Sequence, residues 1–200
     1  MIEEIKLNDT NSLYKTKIEI SDLNKLIDDI KLNLDVSMDS KKATPDYPGI
    51  QSSIVISTTS IRELNKKIMD VLFENSKVDK NTPYITNQWV YISDKKNTYY
   101  GFHTHNKKNH TNISLQWTYT YYVQMPNNLV GDDGKLIFKL DDSTAHSILP
   151  EVGDLLIFPT TLLHAPMTNT NSDIERIVVA GVWSHIDTTI QIRKKNKTLL

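Results

Sequence analysis

The sequence predicts an α+β fold in which N-terminal helices pack on a jelly-roll-like β-sandwich. Two observations support this prediction. Apolar residues recur at helical spacing in two segments before residue 84, and from residue 84 onward they recur at every second position in a series of short segments. Two helices followed by many short antiparallel strands are typical of a sheet whose layers enclose one core.

The part of the chain before residue 84 is predicted to hold one strand and two helices. Ser21 precedes the first helical repeat and is expected to cap that helix, because its hydroxyl can accept from a free backbone amide. Ser60 and Glu63 form the capping-box pattern before the second repeat. The predicted elements are a strand at 13–20, a helix at about 22–34, a loop at 35–52 and a helix at about 60–75.

The alternating segments after residue 84 predict strands with one buried face. Tyr119 and Tyr121 lie on the apolar, odd-numbered side of the longest segment, and we expect that side to face inward. His103 and His105 are also odd-numbered and should point the same way if the register continues. The predicted strands cover 84–93, 113–123, 136–140, 155–158, 176–183 and, with the weakest signal, 188–192.

Length and charge limit the domain organisation and the partners. Two hundred residues fit one domain, with residues 1–83 forming the N-terminal strand, helices and loop and residues 84–193 forming the β core. The 23 basic and 24 acidic residues nearly cancel, so the sequence predicts no nucleic-acid partner. The sequence does not decide whether the protein forms a homodimer, or whether its substrate is a small molecule or a protein.

Cysteine usage and hydropathy limit the chemistry and the compartment. The chain has no cysteine, which excludes disulfides, thiolate zinc sites and a cysteine nucleophile. No apolar run approaches the ~20 residues of a membrane span, and the first residues lack a signal-peptide pattern. We therefore expect a cytoplasmic protein without a membrane partner; for a viral protein this would be the host cytoplasm.

A His-x-His pair suggests a metal site. In an extended segment, side chains at i and i+2 point to the same face, so His103 and His105 would direct their imidazoles at one point. Imidazole is a common metal ligand, and His164 is the best candidate for a third. A lone His-x-His is more often surface or core histidine than a metal site. His110 could also take the place of His105.

The remaining histidines have weaker claims. His185 begins a literal His-x-Asp, but no histidine follows it, so we interpret it as a surface residue. His146 lies in a polar segment and is predicted to be structural or exposed. Neither is expected to bind the metal.

Arg176 begins the apolar segment Arg-Ile-Val-Val-Ala-Gly-Val-Trp. A buried guanidinium needs an anionic partner, and its planar fork suits a carboxylate. That carboxylate could belong to a ligand or to a local acid such as Glu175 or Asp173. The sequence leaves both explanations open.

The order of these segments resembles the Fe(II)/2-oxoglutarate-dependent oxygenases of bacteria and tailed phages. The resemblance covers about residues 84–184 and is most specific from Gly153 to His164. It is carried by the segments WVYI, HTH, YTYYV, GDLLIFPTTLLH and RIVVAG. It implies a double-stranded β-helix and a dioxygenase of the hydroxylase type that uses Fe(II) and 2-oxoglutarate.

The resemblance also implies residue roles. His103 and His164 correspond to the first and last metal ligands, and Arg176 to the residue that binds the far carboxylate of 2-oxoglutarate. His105 stands where most of these oxygenases have a carboxylate. Val178 stands where many have a serine that assists the arginine. The missing hydroxyl would come from Tyr119, Tyr121 or Tyr91.

Two other functions remain compatible with the sequence. One is a cupin-like protein that binds a metal through three histidines and does not use 2-oxoglutarate. Gly153, Pro159 and His164 loosely fit the second cupin motif, but the glutamate of the first motif is absent after His105. The other is a structural β-sandwich with incidental histidines. Use of 2-oxoglutarate distinguishes the oxygenase from both.

Overall fold

A computed structural model describes residues 1–36, 50–54, 57–93, 101–105, 113–167 and 173–186. The described chain is mostly β-sheet with two helices. Among the described helices, none is long and apolar enough to cross a membrane. The elements are β1 (Glu3–Lys6), β2 (Ser12–Lys17), α1 (Leu23–Val36), β3 (Ile50–Ser53), α2 (Thr59–Ser76), β4 (Tyr84–Ser93), β5 (Ile113–Gln124), β6 (Leu136–Lys139), β7 (Ala145–Ile148), β8 (Asp154–Pro159), β9 (Leu163–Pro166) and β10 (Arg176–Ile186).

The strands form a large and a small sheet. The large sheet has the order β1-β2-β8-β5-β10-β4-β3, and the small sheet has the order β7-β6-β9. Neighbouring strands in both sheets run antiparallel. Strands from before and after residue 84 share the large sheet, so the N-terminal part and the β core are built together.

The large sheet has a different partner on each face. One face packs against apolar residues of α1 and α2, including Leu26, Ile30 and Leu64, and this confirms that the helices pack on the sheet. The opposite face packs against Leu136 and Phe138 of the small sheet. The fold is therefore layered as helices, large sheet and small sheet, with one apolar cluster in each of the two gaps.

The helices begin at other residues than predicted. Asp22, rather than Ser21, caps α1 by accepting from a first-turn amide at 2.9 Å. Thr58, rather than Ser60, caps α2. The Ser60 hydroxyl instead donates to the buried carboxylate of Asp29 on α1. The hydroxyls that sequence spacing marks as caps here tie neighbouring elements together, a role that local spacing does not reveal.

The strands that sequence analysis missed have four residues each. These are β1, β3, β7 and β9; β3 occupies the end of the predicted 35–52 loop, and β7 contains His146. Their sequences show no clear alternation of apolar and polar residues, and these strands depend on a neighbour for pairing. The predicted strand at 188–192 lies outside the described residues.

Gly181 lets β10 pass close to both of its neighbours. A Cβ atom at this position would overlap the phenol of Tyr119 on β5 and would lie 2.8 Å from the backbone oxygen of Asn87 on β4. Tyr119 is fully buried, so its ring has little room to move. The glycine is therefore required by packing within the central part of the large sheet.

We expect Gly181→Ala to lower the free energy of unfolding by about 1–3 kcal/mol, because an added methyl forces a packed core to shift. Urea unfolding followed by circular dichroism measures the change. The matched double variant Gly181→Ala/Tyr119→Leu should lose less stability than the sum of the two single variants, since the leucine removes part of the overlap. An alanine variant as stable as the original chain would contradict this account of the glycine.

Candidate metal centre

His103 and His164 are held together by the backbone. They form an isolated antiparallel bridge in which the His103 amide donates to the His164 carbonyl at 2.9 Å and the His164 amide donates to the His103 carbonyl at 3.0 Å. The amide of His105 donates to the Thr160 carbonyl at 2.9 Å. These bonds fix the segment 101–105 against the residues that follow β8 and place all three histidines side by side.

The three imidazoles converge. One ring nitrogen from each of His103, His105 and His164 lies within 4.8 Å of the other two. Their ring centroids are 4.4 Å to 5.1 Å apart. Ring nitrogens about 2.0–2.1 Å from one metal ion lie roughly 3 Å apart, so small movements of these rings would bring all three nitrogens onto one ion. The structure thus brings together the three histidines that the sequence singled out, and the cluster fits a metal ion.

Backbone carbonyls orient two of the rings. The Nδ1 atom of His103 lies 2.9 Å from the Gly101 carbonyl, and the Nδ1 atom of His164 lies 2.9 Å from the Leu162 carbonyl. A carbonyl only accepts, so each Nδ1 carries the proton and each Nε2 keeps a free lone pair. This is the arrangement by which proteins commonly orient metal-binding histidines.

Burial keeps these two rings neutral. Desolvation lowers the pKa of His164 to about 3, and the neighbouring His103 acts in the same direction. Desolvation also lowers the pKa of His103, although the Gly101 carbonyl opposes this. Neutral imidazole is the form that binds metals, so both rings are ready to bind near pH 7.

Aromatic side chains surround the cluster. The ring of Phe158 lies 4.7 Å from that of His164, and Phe138 lies 6.3 Å from it on the side of the small sheet. Trp89 of β4 lies 5.2 Å from His105. These rings restrict the histidine rotamers and lower the local dielectric constant, which strengthens any charge interaction at the site.

A cavity of about 230 Å³ extends from the histidines to Arg176. Tyr91 of β4, Tyr122 of β5 and Val178 of β10 line it. No acidic side chain is among its lining residues in the described part of the chain. The cavity thus connects the three imidazole rings with the guanidinium of Arg176.

Arg176 is only 1% exposed. Its Nη1 donates to the Met167 carbonyl at 2.5 Å, and its guanidinium carbon lies 5.9 Å from the centre of the Tyr91 ring. Its Nε has no hydrogen-bond partner among the described residues. Burial lowers the pKa of this guanidinium, while the phenols of Tyr122 and Tyr91 raise it.

Glu175, one of the two local acids suggested for Arg176, has a different partner. Its carboxylate pairs with Lys31 of α1 at 3.2 Å. Within the described segments, no ion pair joins Glu175 to Arg176. The guanidinium therefore retains hydrogen-bonding capacity for a ligand in the cavity.

Tyr119 and Tyr121 do not face this cavity. They pack on the helix side of the large sheet, where the Tyr119 hydroxyl accepts from Gln88 at 3.2 Å and the Tyr121 hydroxyl donates to the Ile18 carbonyl at 3.1 Å. Burial raises the pKa of each to about 12. The prediction that the odd-numbered face of β5 points toward the histidines is wrong, because two apolar gaps, not one, flank the large sheet.

Even-numbered residues of β5 line the cavity instead. Tyr122 lies opposite Val178 on β10, and Thr120 lies opposite Ala180. Arg176 shares a face of β10 with Val178 and Ala180. The residues paired with these two, Tyr122 and Thr120, therefore face the cavity as well. The sequence offered no such signal, since these polar positions looked like a solvent-facing side. Tyr91, the third predicted hydroxyl, does line the cavity.

The remaining histidines lie elsewhere. His146 lies on β7, where it pairs with Phe138 rather than occupying a loop. His185 lies near the end of β10, and its ring stacks on Trp183 at 6.5 Å. His110, the alternative middle ligand, lies outside the described residues, as does Asp187.

Comparison with solved structures places this geometry in a known fold. No protein-family model and no curated protein matches the sequence. A prolyl-4-hydroxylase from Pseudomonas putida is 14% identical, with 89% of this chain and 94% of that chain covered and a TM-score of 0.63. This chain has the fold of that hydroxylase.

Two further structures show the same oxygenase fold. The viral collagen prolyl hydroxylase of Paramecium Bursaria Chlorella virus-1, in a 2-oxoglutarate complex, is 16% identical, with 90% of this chain and 100% of that chain covered and a TM-score of 0.61. HygX from Streptomyces hygroscopicus, with nickel and 2-oxoglutarate bound, is 11% identical. The match covers 90% of this chain and 84% of that chain, with a TM-score of 0.59. The likeness spans nearly the whole of each chain.

We expect His103→Ala to abolish stoichiometric metal binding, because two imidazoles rarely hold a divalent ion alone. Metal content after dialysis against Fe(II) or Ni(II) measures the loss. The fold should persist, since the bridge to His164 uses backbone atoms. His146→Ala is the matched control and should retain the metal. A His103→Ala protein that still binds one ion per chain would rule out this cluster as the metal centre.

Proposed function

We propose that this protein is an Fe(II)/2-oxoglutarate-dependent dioxygenase that hydroxylates its substrate. The observation that carries the proposal is the shared cavity of three converging histidines and one buried arginine. The first group suits a divalent metal and the second suits a carboxylate. The shared fold with oxygenases that contain 2-oxoglutarate in their structures supports it.

His103, His105 and His164 are proposed to hold the iron. One ring nitrogen of each converges on the other two, and the carbonyls of Gly101 and Leu162 keep two of the rings in the required tautomer. Three protein ligands leave positions open for other molecules, which a catalytic metal requires. The donor set therefore fits the metal, although it consists of three imidazoles instead of two imidazoles and a carboxylate.

Arg176 is proposed to bind the far carboxylate of 2-oxoglutarate. The Met167 carbonyl fixes the guanidinium, and the Nε–H has no partner among the described residues. Tyr91 and Tyr122 lie beside it in the cavity and can donate hydroxyl hydrogen bonds to the same carboxylate. They would replace the serine hydroxyl that is absent at Val178.

The layered sheets are interpreted as a double-stranded β-helix whose interior is this cavity. When bound, iron, 2-oxoglutarate and O₂ would supply the chemistry, in which one oxygen atom of O₂ enters succinate as CO₂ is released and the other enters a C–H bond of the substrate as a hydroxyl. The chain fixes the ligand geometry through the bridge between His103 and His164. Phe138 and Phe158 exclude water from one side of the histidines.

A cupin-like metal protein that does not use 2-oxoglutarate is the second candidate. The all-histidine cluster favours it, because the described part of the chain brings no carboxylate into the group. The buried Arg176 favours the oxygenase, because a metal site alone gives no reason to keep a desolvated cation in the same cavity. Binding of 2-oxoglutarate decides between the two.

We expect Arg176→Ala to weaken 2-oxoglutarate binding by roughly ten- to a hundredfold, because a charge-assisted hydrogen bond contributes about 1.5–3 kcal/mol. Anaerobic titration of the Fe(II)-loaded protein, followed through its metal-to-ligand charge-transfer band, measures the affinity. Metal affinity should hardly change, and Arg176→Lys should restore binding only in part, because an ammonium lacks the planar fork.

Arg62→Ala is the matched control for this experiment. Arg62 lies on the surface of α2, where it donates to the Ser57 carbonyl, so its loss should leave the titration unchanged. Equal titration curves for the original chain and Arg176→Ala, or no charge-transfer band in either, would refute the proposed role of Arg176.

A further inference from the structure

The charge of the cavity differs from that of a site with two histidines and a carboxylate. A metal-bound imidazole is neutral, so His103, His105 and His164 leave the full double charge of a divalent ion uncompensated. In the described part of the chain, no acidic side chain lines the cavity. Arg176 adds a further positive charge.

Bound 2-oxoglutarate does not neutralise this cavity. Its two carboxylates supply two negative charges, whereas the metal and the guanidinium together supply three positive ones. The phenol of Tyr122 does not provide the missing charge, because burial raises its pKa. One positive charge therefore remains in a partly desolvated space, where charge interactions are stronger than in water.

An exposed amide side chain lies on the His105 side of the cavity. Trp89 contacts His105 at 5.2 Å, and Asn87 precedes Trp89 by two residues on the same face of β4. The Asn87 amide is not hydrogen-bonded to another residue of the described segments and offers N–H donors to an oxyanion. Gln51 of β3 also lines the cavity, but it lies opposite Tyr91 and therefore toward Arg176.

We propose that the substrate bears a carboxylate, which binds in this cavity beside the metal and is held by Asn87. This inference rests on the proposed oxygenase function and specifies its substrate class. The carboxylate supplies the charge that a metal-binding aspartate or glutamate supplies in a two-histidine site. Because His105 is neutral where a carboxylate ligand would be negative, the substrate is expected to supply that negative charge.

Acetate is the probe for this subsite, and acetamide is its neutral counterpart of nearly the same shape. Each is titrated, at constant ionic strength and without oxygen, into the protein loaded with Fe(II) and saturating 2-oxoglutarate. The charge-transfer band shows that 2-oxoglutarate stays bound, and its shift together with the melting temperature reports the added ligand. We expect acetate to shift the band and raise the melting temperature, and acetamide to do neither.

Two variants test the origin of the effect. His105→Asp places a carboxylate on the metal, and Asn87→Asp places one at the subsite while keeping all three imidazoles. Each added negative charge should weaken acetate binding by at least about tenfold, because like charges repel at this range. Asn87→Ala serves as the matched control for Asn87→Asp and should weaken acetate binding less than the aspartate does.

The outcomes separate this inference from the function on which it rests. A persistent charge-transfer band with no acetate response, or an equal response to acetamide, overturns the carboxylate subsite and leaves the oxygenase intact. Undiminished acetate binding in His105→Asp overturns it as well, and chloride acting as strongly as acetate would assign the effect to a halide site. No band in the original chain overturns both proposals.

Discussion

The alternation of side chains along β10 determines the arrangement of the whole molecule. This strand lies between β4 and β5 and is buried on both faces. Ile177 and Val179 face the helices, whereas Arg176, Val178 and Ala180 face the cavity. A shift of one residue would exchange the two sets and would place the guanidinium among the apolar residues of the helix side. The close packing of Gly181 against its neighbours opposes such a shift.

The histidine cluster depends on backbone bonds rather than on side-chain packing. His103 and His164 come from segments far apart in the chain, and their mutual amide–carbonyl pairs hold the two segments in register. The carbonyls of Gly101 and Leu162 then set the ring orientation. Because strand pairing supplies this geometry, the rings can converge without a metal, and less ordering remains to be done when an ion binds.

Sequence patterns predicted the long elements and the residues of the cluster, but not the layer that each strand face enters. The i, i+2 spacing suggested His103 and His105, the segment before His164 and the family resemblance suggested the third histidine, and the apolar context of Arg176 marked it as a buried cation. The inward direction of Tyr119 and Tyr121 could not be distinguished from that of Tyr122, because both faces of β5 are buried. The short strands β1, β3, β7 and β9 also escaped detection. The caps at Asp22 and Thr58 were missed because the expected capping hydroxyls of Ser21 and Ser60 bond instead to Glu63 and Asp29.

The burial of Arg176 has a cost that the folded chain alone does not fully offset. A guanidinium removed from water needs several acceptors. The described structure gives it the Met167 carbonyl and the hydroxyl and ring face of Tyr91, while its Nε has no partner among the described residues. A carboxylate that enters the cavity meets a cation already desolvated and oriented, so less free energy is spent on ordering the guanidinium. Burial of Arg176 therefore costs free energy in folding and favours binding, as is common where a site is organised for its ligand rather than for stability.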